Sequence, residues 1–192
     1  QFSFSSKNIS DLKILRNELL NANKKHNFIS KSTEANIWHR HILDSAQLIN
    51  FFNITKELSI ADLGSGAGFP GIVLAIYGVK YRFHVKLYEK SPVKRDFLVK
   101  ISNKLKLNIS IFGNVYNDPI SADIIVCRAF KKLPEIVRIS RENSKKPNKL
   151  IILKGKNAEK EIKSLSLNVE CDYKLMNSMT DLNSKILIIN NS

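Results

Sequence analysis

The sequence contains only two cysteines, Cys127 and Cys171, in 192 residues. Two cysteines are too few for a disulfide framework, and their separation matches no metal-ligand spacing. We therefore expect no metal site and a reducing, cytoplasmic location. No apolar run approaches the roughly 20 residues that span a bilayer, and the polar opening QFSFSSKNIS does not resemble a secretory leader, so we expect no membrane segment.

Acidic residues are scarce as well. The chain has 17 Asp and Glu against 31 Lys and Arg, which gives a formal net charge of +14. Such a balance favours a polyanionic partner such as nucleic acid. However, Lys, Asn and Ile are abundant throughout, and a compositional bias would raise the charge without any binding site. Three basic clusters favour nucleic acid, and they comprise Lys90, Lys94, Arg95, Arg128, Lys131, Lys132, Lys145, Lys146 and Lys149.

The hydrophobic pattern predicts several helices. Apolar residues recur at helical spacing over residues 10–24 and again over about residues 33–52. A further helix begins at Ser91, a favourable N-cap, with Pro92 at its first position. The first two helices lie before any predicted strand, so they form an N-terminal helical extension.

Short β-rich runs follow the extension and alternate with helical segments. They predict strands at residues 58–63, 83–88, 109–112, 123–127, 149–153 and 185–189. This alternation predicts an α/β fold with a doubly wound, mostly parallel sheet. We assign the extension to residues 1–55 and the sheet domain to residues 56–192, and we expect the two to pack as one compact unit.

The loop after the first predicted strand is the most distinctive stretch. It reads ADLGSGAGFPG, residues 61–71, and holds four of the seven glycines in the chain. In doubly wound sheets, ligands bind outside the carboxyl ends of the strands, and glycines there let a ligand approach the backbone. Gly66, Gly68 and Gly71 satisfy the G-x-G-x-x-G pattern, so a nicotinamide or flavin enzyme stays open. The P-loop lysine is absent, which argues against a nucleoside triphosphate.

Two carboxylates favour S-adenosylmethionine over a dinucleotide. Asp62 lies at the end of the strand, where its charge suits the ammonium and sulfonium groups of S-adenosylmethionine better than a pyrophosphate. Glu89 ends the next strand, at about the distance downstream where Rossmann-like folds place the carboxylate that binds ribose hydroxyls. The candidate cofactor site therefore includes Asp62, Gly64, Gly66, Gly68 and Glu89.

Longer motifs carry a family resemblance. The runs IWHRHILDS, DLGSGAGFPGIVLAI, CRAF and LKG, in that order, resemble the glucose-inhibited division protein B family of bacterial ribosomal RNA guanine-N7 methyltransferases. NFIS, residues 27–30, is similar to the family's N-L-T-[SA] element. The resemblance implies a Rossmann-like, seven-stranded S-adenosylmethionine-dependent methyltransferase fold with N-terminal helices. It also implies a monomer that acts on 16S rRNA of the small ribosomal subunit, at a guanine in the decoding-region loop.

The resemblance implies further cofactor contacts. These are at Gly64 and Phe69 in the loop, at Val115 and Tyr116 after the third strand, and at Arg128 after the fourth. Where the family commonly has an acid after a small residue or valine, this chain has the run VYN. A backbone amide would then have to serve the adenine of the cofactor.

Guanine N7 exposes an in-plane lone pair, so its methylation requires no strong general base. The enzyme instead aligns N7 with the methyl donor and places donors near O6, for which arginine is the common partner. We expect Arg128 to fill this catalytic role, with Lys154 in LKG as the second candidate. The alternative for both is structural: they would anchor strand ends or pair with a carboxylate.

Other basic residues are candidates for contacts with RNA phosphates. They are Arg40, Lys94, Arg95, Lys131 and Lys132. Alternatively, Arg40 would bind to the cofactor domain of the same chain. Its neighbour His41 falls on the apolar face of the second predicted helix, so we expect a core histidine bonded to Asp44 or to a backbone carbonyl.

Alternative functions stay open on the sequence alone. Cys127 precedes Arg128 at a strand end, and a lowered thiol pKa there would suit the nucleophile of a cytosine-C5 methyltransferase. The Pro-Cys context of those enzymes is absent, as is the Pro-Pro-aromatic loop of amine-directed adenine methyltransferases. A non-catalytic RNA-binding module with a Rossmann-like fold and a nicotinamide oxidoreductase are alternatives of other classes.

Overall fold

The structure is a computed structural model, and it describes residues 3–54, 57–144, 148–166 and 172–191. Seven strands form one sheet. They are β1 (Ser59–Leu63), β2 (His84–Tyr88), β3 (Ile109–Phe112), β4 (Ile124–Arg128), β5 (Asn148–Lys154), β6 (Tyr173–Asn177) and β7 (Lys185–Asn191). Their order is β3-β2-β1-β4-β5-β7-β6. β7 runs antiparallel to both of its neighbours, β5 and β6, whereas the other four described strand pairs are parallel, which confirms the mostly parallel sheet.

Helices cover both faces of the sheet. They are α1 (Ser6–Asn23), α2 (Lys31–Glu34), α3 (Asp44–Ala46), α4 (Gly71–Gly78), α5 (Pro92–Leu105), α6 (Leu133–Glu142) and α7 (Ala158–Ser166). Buried residues of α1, α4 and α5 form one apolar cluster with the sheet, and those of α6 and α7 form a second. This arrangement confirms the doubly wound architecture. Among the described helices, none is long and apolar enough to cross a membrane.

The N-terminal helices share a core with the sheet. Leu15 of α1 is fully buried in the cluster that contains Ile72 of α4. Asn8 donates from Nδ2 to the carbonyl of Ile76 at 2.7 Å, so a polar contact also joins α1 to α4. The predicted boundary after residue 55 falls outside the described residues, and the two-part division stays a prediction.

The segment over residues 33–52 is not the single helix that its apolar spacing predicts. After α2 the chain forms a π-helical turn (Trp38–Leu43), then α3, then a 3-10 turn (Gln47–Phe51). The carbonyl of Arg40 in the π-helical turn accepts a hydrogen bond from the Arg128 guanidinium at 3.0 Å. Widened turns of this kind occur frequently at functional sites. The break thus coincides with a tertiary contact that a local pattern does not reveal.

Six strands lie within two residues of their predicted positions, but β6 is not predicted by the sequence pattern. Its run YKLMN is exposed or half-buried, and among the described strands it pairs only with β7 at the end of the sheet. Polar edge strands of this kind lack the alternation that marks a half-buried strand.

Candidate functional site

The site lies at the carboxyl edge of the sheet, where the strand order reverses at β1. The neighbours of β1 are β2 and β4, and ligands of open α/β sheets bind at such a switch point. Two adjacent cavities open along this edge. The first cavity, of about 490 Å³, lies over the glycine-rich loop and the ends of β2 and β3. The second cavity, of about 540 Å³, lies over the ends of β4 and β5.

The glycine-rich loop is tied to the end of β2. The amides of Gly64 and Ser65 both donate to the carbonyl of Tyr88, at 2.9 and 3.0 Å. Gly64 and Gly66 have φ of +73° and +57°, the left-handed region that favours glycine. A Cβ on Gly64 would lie 2.4 Å from Cδ2 of Phe130, whereas a Cβ on Gly66 would meet nothing nearer than a carbonyl oxygen at 3.9 Å. Gly66 thus leaves open space beside the first cavity.

Asp62 and Gly68 belong to this stretch but line neither cavity. The fully buried Asp62 accepts from the amide of Gly71 at 2.8 Å through Oδ2, and its Oδ1 has no hydrogen-bond partner among the described residues. Burial raises the pKa of Asp62 to about 7, although the Gly71 amide opposes this shift. A Cβ on Gly68 would lie 2.4 Å from Cγ1 of Ile72. Both residues therefore shape the loop and the start of α4.

Glu89 presents a fixed carboxylate to the first cavity. Its Oε2 accepts from the amide of Gly66 and its Oε1 from the amide of Ser91, both at 2.8 Å. Each oxygen retains a lone pair, so the carboxylate can also accept from ligand hydroxyls. The lining includes Gly64, Gly66, Phe69, Glu89, Val115 and Tyr116.

The loop after β3 forms the opposite wall of the first cavity. Val115 is buried, whereas Tyr116 is 45% exposed and its hydroxyl bonds to the Glu135 carboxylate. The amide of Tyr116 donates to Oδ1 of Asn114 at 3.2 Å, and the amide of Asn117 donates to the Asn114 carbonyl at 3.0 Å. Two of the amides in the VYN run are thus held by the loop itself.

Arg128 stands between the two cavities and lines both. Its Nη1 donates to the Arg40 carbonyl at 3.0 Å and to Oδ2 of Asp44 at 3.2 Å. Its Nη2 donates to Nδ1 of His41 at 2.9 Å, and the guanidinium carbon lies 5.4 Å from the centre of the Phe69 ring. These contacts fit the structural role, in which Arg128 anchors a strand end and pairs with a carboxylate, that is the alternative to a catalytic role. A guanidinium has five N–H groups, so donors are left for a ligand.

His41 is held as a neutral acceptor for Arg128. Because Nδ1 accepts from the guanidinium, the proton lies on Nε2, which donates to Oγ1 of Thr33 at 3.0 Å. Burial lowers the pKa of His41 to about 4, and the two neighbouring arginines contribute to this shift. The predicted partners, Asp44 or a backbone carbonyl, are wrong. The Asp44 carboxylate pairs with Arg128, and the ring nitrogens of His41 bond to Arg128 and Thr33.

Lys154 lines the second cavity and joins three elements. Its Nζ donates to Oε2 of Glu161 at 2.7 Å and to the carbonyl of Lys131 at 3.2 Å. The same Glu161 oxygen accepts from the amide of Leu133 at 3.0 Å. Lys154 therefore ties the end of β5 to α7 and to the start of α6.

Two arginines predicted to contact RNA have intramolecular partners. Arg40 lines the second cavity and donates to Oδ2 of Asp181 at 2.9 Å. Arg95 donates through Nη1 to the carbonyls of Glu89 and Lys90, at 3.0 and 2.7 Å. Arg95 thus stabilises the chain after β2, and a phosphate would have to compete with backbone carbonyls for it.

The three lysines predicted to contact RNA lie around the same edge. Lys94 lines the first cavity, and Lys131 lines both cavities. Lys131 also forms an ion pair with Glu135, with an N–O distance of 3.0 Å. Lys132 is exposed at the N-cap of α6. Their contacts with RNA stay predictions.

Cys127 is fully buried and lines neither cavity. Burial raises the pKa of its thiol, and the nearby Asp62 carboxylate raises it further. The lowered pKa considered for this cysteine is therefore wrong. Its side chain belongs to the apolar cluster under α6.

The chain matches one known protein family over most of its length. The family model described as rRNA small subunit methyltransferase G (GidB) matches residues 8–189. The chain belongs to this family. Proteins named ribosomal RNA small subunit methyltransferase G are 40% identical over 184 residues in Rickettsia typhi and 39% identical over 168 residues in Orientia tsutsugamushi. These matches cover 95% of this chain and 94% of the Rickettsia protein, and 87% of this chain and 82% of the Orientia protein.

Solved structures confirm the Rossmann-like methyltransferase fold. A SAM-dependent methyltransferase from Aquifex aeolicus matches with a TM-score of 0.60 at 12% identity, over 91% of this chain and 97% of that one. A mutant of the protein MtNAS in complex with S-adenosylmethionine matches with a TM-score of 0.62 at 11% identity, over 94% of this chain and 74% of that one. At such identities the likeness concerns the fold alone.

The positions that the family resemblance implies for the cofactor lie together. Gly64, Phe69, Val115, Tyr116 and Arg128 all line the first cavity. They come from the loops after β1, β3 and β4, which converge at the switch point. Their contacts with a cofactor stay predictions.

The sequence does not predict several of the residues that line the two cavities. Asp44 and Asp181 line the second cavity, from α3 and from the turn after β6. No local signal points to Asp181, because β6 itself is not predicted. Phe130 lines both cavities and lies in the CRAF motif, so its place beside Arg128 is the available signal.

Proposed function

We propose that this chain, as a member of the GidB family, transfers a methyl group from S-adenosylmethionine to N7 of a guanine in 16S rRNA. The observation that carries the proposal is the pair of cavities that meet at Arg128. One has the features of a cofactor site and the other has room for a nucleobase. The family match supports the assignment of both.

The first cavity fits S-adenosylmethionine. When bound, this cofactor supplies an electrophilic methyl group on its sulfonium. The open space at Gly66 admits a ligand close to the backbone, and Phe69 supplies an apolar wall. The carboxylate of Glu89 accepts from ribose hydroxyls, and Val115 and Tyr116 border the adenine side.

The second cavity is the proposed site of the target guanine. Guanine presents N–H donors on one edge and the acceptors O6 and N7 on another, and the lining combines carboxylates with cations. Arg128 reaches both cavities, so its unused N–H groups can donate to O6 while N7 faces the first cavity. Lys154 supplies a second positive charge at the end of β5, held in place by Glu161.

The protein's task is alignment rather than deprotonation, because N7 attacks with a free lone pair. The geometry of His41 agrees with this chemistry. A histidine whose pKa is lowered to about 4, and which accepts from Arg128, positions the guanidinium and holds no proton at Nδ1 for transfer. His41 is therefore a positioning residue in the proposal.

The RNA would approach across the basic carboxyl edge. Lys94, Lys131 and Lys132 surround the cavities there. The small ribosomal subunit, with the decoding-region loop of 16S rRNA, is the proposed partner, and the proposed enzyme is a cytoplasmic monomer. Sedimentation of the pure protein would measure its oligomeric state.

The cytosine-C5 alternative loses its nucleophile in this structure. Cys127 is fully buried with a raised thiol pKa, whereas a covalent mechanism requires an accessible thiolate.

Single-turnover assays on small-subunit RNA, with the product base identified by mass spectrometry, test the proposal. We expect N7-methylguanine from the wild type. Arg128→Ala should lower the rate on the order of a hundredfold, as the loss of one preorganised charged donor does.

Cys127→Ser is the control for this experiment, and we expect nearly wild-type rates from it. The melting temperature and S-adenosylmethionine affinity of Arg128→Ala must be measured as well, because the substitution leaves Asp44 without its ion pair. A product methylated on cytosine, or an inactive Cys127→Ser protein that still folds, would refute the proposed reaction.

A further inference from the structure

The turn between β6 and β7, residues 178–184, exposes two large apolar side chains. Leu182 is 93% exposed and Met179 is 63% exposed. Among the exposed large apolar residues of the described chain, these two have the highest exposure. Single exposed apolar residues are ordinary, but two on one short turn beside a cavity call for a partner.

This turn has a fixed shape. The amide of Ser178 donates to the Ser184 carbonyl at 3.0 Å, and the amide of Asn183 donates to Oδ1 of Asp181 at 2.9 Å. The turn is also bonded to the helical segment before β1, because the amide of Met179 donates to Oε1 of Gln47 at 2.8 Å. Leu182 is therefore presented on a rigid support.

The turn forms part of the rim of the second cavity. Thr180, Asp181 and Ser184 line that cavity, and Leu182 lies between the last two. Asp181 also pairs with Arg40 across the same rim at 2.9 Å. An apolar tip thus stands next to the place proposed for the target guanine.

We propose that Leu182 is a wedge that inserts between bases of the RNA beside the target guanine. The proposal rests on the proposed function of the second cavity. A stacked base cannot enter a cavity at the edge of the sheet, and unstacking it costs free energy. Apolar side chains that enter a base step offset this cost in other nucleic-acid complexes. Met179 supplies a second apolar contact on the same turn.

The surroundings favour RNA over an apolar protein surface as the covering partner. The chain carries a net charge of +14. The cavity that the turn borders is lined by four cations, Arg40, Arg128, Lys131 and Lys154, against three carboxylates, Asp44, Glu161 and Asp181. An apolar side chain beside a cavity with an excess of positive charge matches bases flanked by phosphates.

Leu182→Ala tests the wedge without a folding penalty, because the side chain is almost fully exposed. Val79→Ala is the matched control: Val79 is 56% exposed in the 3-10 turn Val79–Tyr81, which leads to the amino end of β2 at the opposite edge of the sheet. We expect Leu182→Ala to lower kcat/KM on small-subunit RNA about tenfold, a change of about 1.4 kcal/mol. S-adenosylmethionine affinity and melting temperature should not change, and Val79→Ala should match the wild type.

The fluorescence of 2-aminopurine, which rises when the base is unstacked, distinguishes insertion of Leu182 between bases from a surface contact. With 2-aminopurine placed beside the target guanine, wild-type protein should raise the fluorescence, and Leu182→Ala should not. Leu182→Met, which keeps an apolar side chain, should restore both signals.

Three results would contradict the proposal. Equal kcat/KM and equal fluorescence for Leu182→Ala and the wild type would overturn the wedge while the methyl transfer stands. A defect on intact subunits that disappears on protein-free RNA would also overturn it, because the covering partner would then be a ribosomal protein. A wild type that methylates no RNA would overturn the proposed function, and the wedge with it.

Discussion

Gly64 and Gly66 share a left-handed backbone, yet a side chain has different consequences at each. At Gly66 a Cβ finds open space, so Gly66→Ala costs about 1 to 2 kcal/mol of backbone strain and places a methyl group beside the cofactor cavity. At Gly64 it would collide with the Phe130 ring, which lines both cavities.

We therefore expect Gly66→Ala to stay folded and to lose S-adenosylmethionine affinity by at least about tenfold in titration calorimetry. Gly64→Ala should lose affinity and melt at a lower temperature than Gly66→Ala, because the collision with Phe130 adds to the backbone strain that both variants share. Gly155→Ala is the control, because a Cβ there would meet nothing within 4 Å and the residue lies outside the cofactor cavity. Unchanged affinity in Gly66→Ala would remove the glycine loop from the cofactor site.

The neutral state of His41 sets a pH dependence. Because burial lowers the pKa of His41 to about 4, it stays an acceptor for Arg128 at all higher pH values. Burial raises the pKa of the Cys127 thiol. Neither His41 nor Cys127 should therefore change the rate of single-turnover methyl transfer between pH values of roughly 6.5 and 9, and a step within this range is assigned to Asp62, whose pKa burial raises to about 7.

The loss of rate that His41 causes should appear only as the pH approaches 4, since a protonated His41 can no longer accept from Arg128. His41→Gln, whose side chain can also accept but does not titrate, separates this loss from that of other groups. A wild-type midpoint near roughly 6.5 that His41→Gln removes would mean that His41 titrates as an ordinary histidine, and a rise with a midpoint between about 8 and 9 would indicate a thiolate.

At the scale of elements, the sequence could predict what depends on local pattern. The buried strands and the cap of α5 at Ser91 follow from alternation and from a hydroxyl before a proline, and the structure confirms them. It could not predict the π-helical turn, whose shape goes with a bond from Arg128, far along the chain. It also could not predict β6, whose polar edge position removes the alternating signal.

The residues of the candidate site likewise divide into those that the sequence could predict and those that it could not. Gly66, Glu89 and Arg128 stand at strand ends, where a parallel sheet brings loops together, so their meeting could be predicted. Asp181 arrives from a turn whose preceding strand gives no signal. Asp62 lines neither cavity, and no local pattern shows that its carboxylate bonds to the amide of Gly71 at the start of α4. Its contact with a cofactor stays a prediction.

At the scale of the whole molecule, the basic side chains differ in whether intramolecular partners already bind them. Ion pairs occupy Arg40 with Asp181 and Lys131 with Glu135. Arg95 is bound to backbone carbonyls. Of the predicted basic cluster Lys145, Lys146 and Lys149, the first two residues lie outside the described residues. The exposed Lys90 and Lys132 at the carboxyl edge therefore offer the clearest test of whether the charge serves RNA.

If those lysines contact phosphates, RNA affinity should fall steeply with salt, because each neutralised phosphate contributes about −0.7 to −0.9 to the slope of log K against log salt. Lys90→Ala and Lys132→Ala should each reduce the steepness by about that amount, measured by fluorescence anisotropy across a salt series. Lys80→Ala should match the wild type, because Lys80 lies at the opposite edge and packs 4.7 Å from the Tyr81 ring centre. A wild-type affinity that ignores salt would instead assign the net charge of +14 to compositional bias.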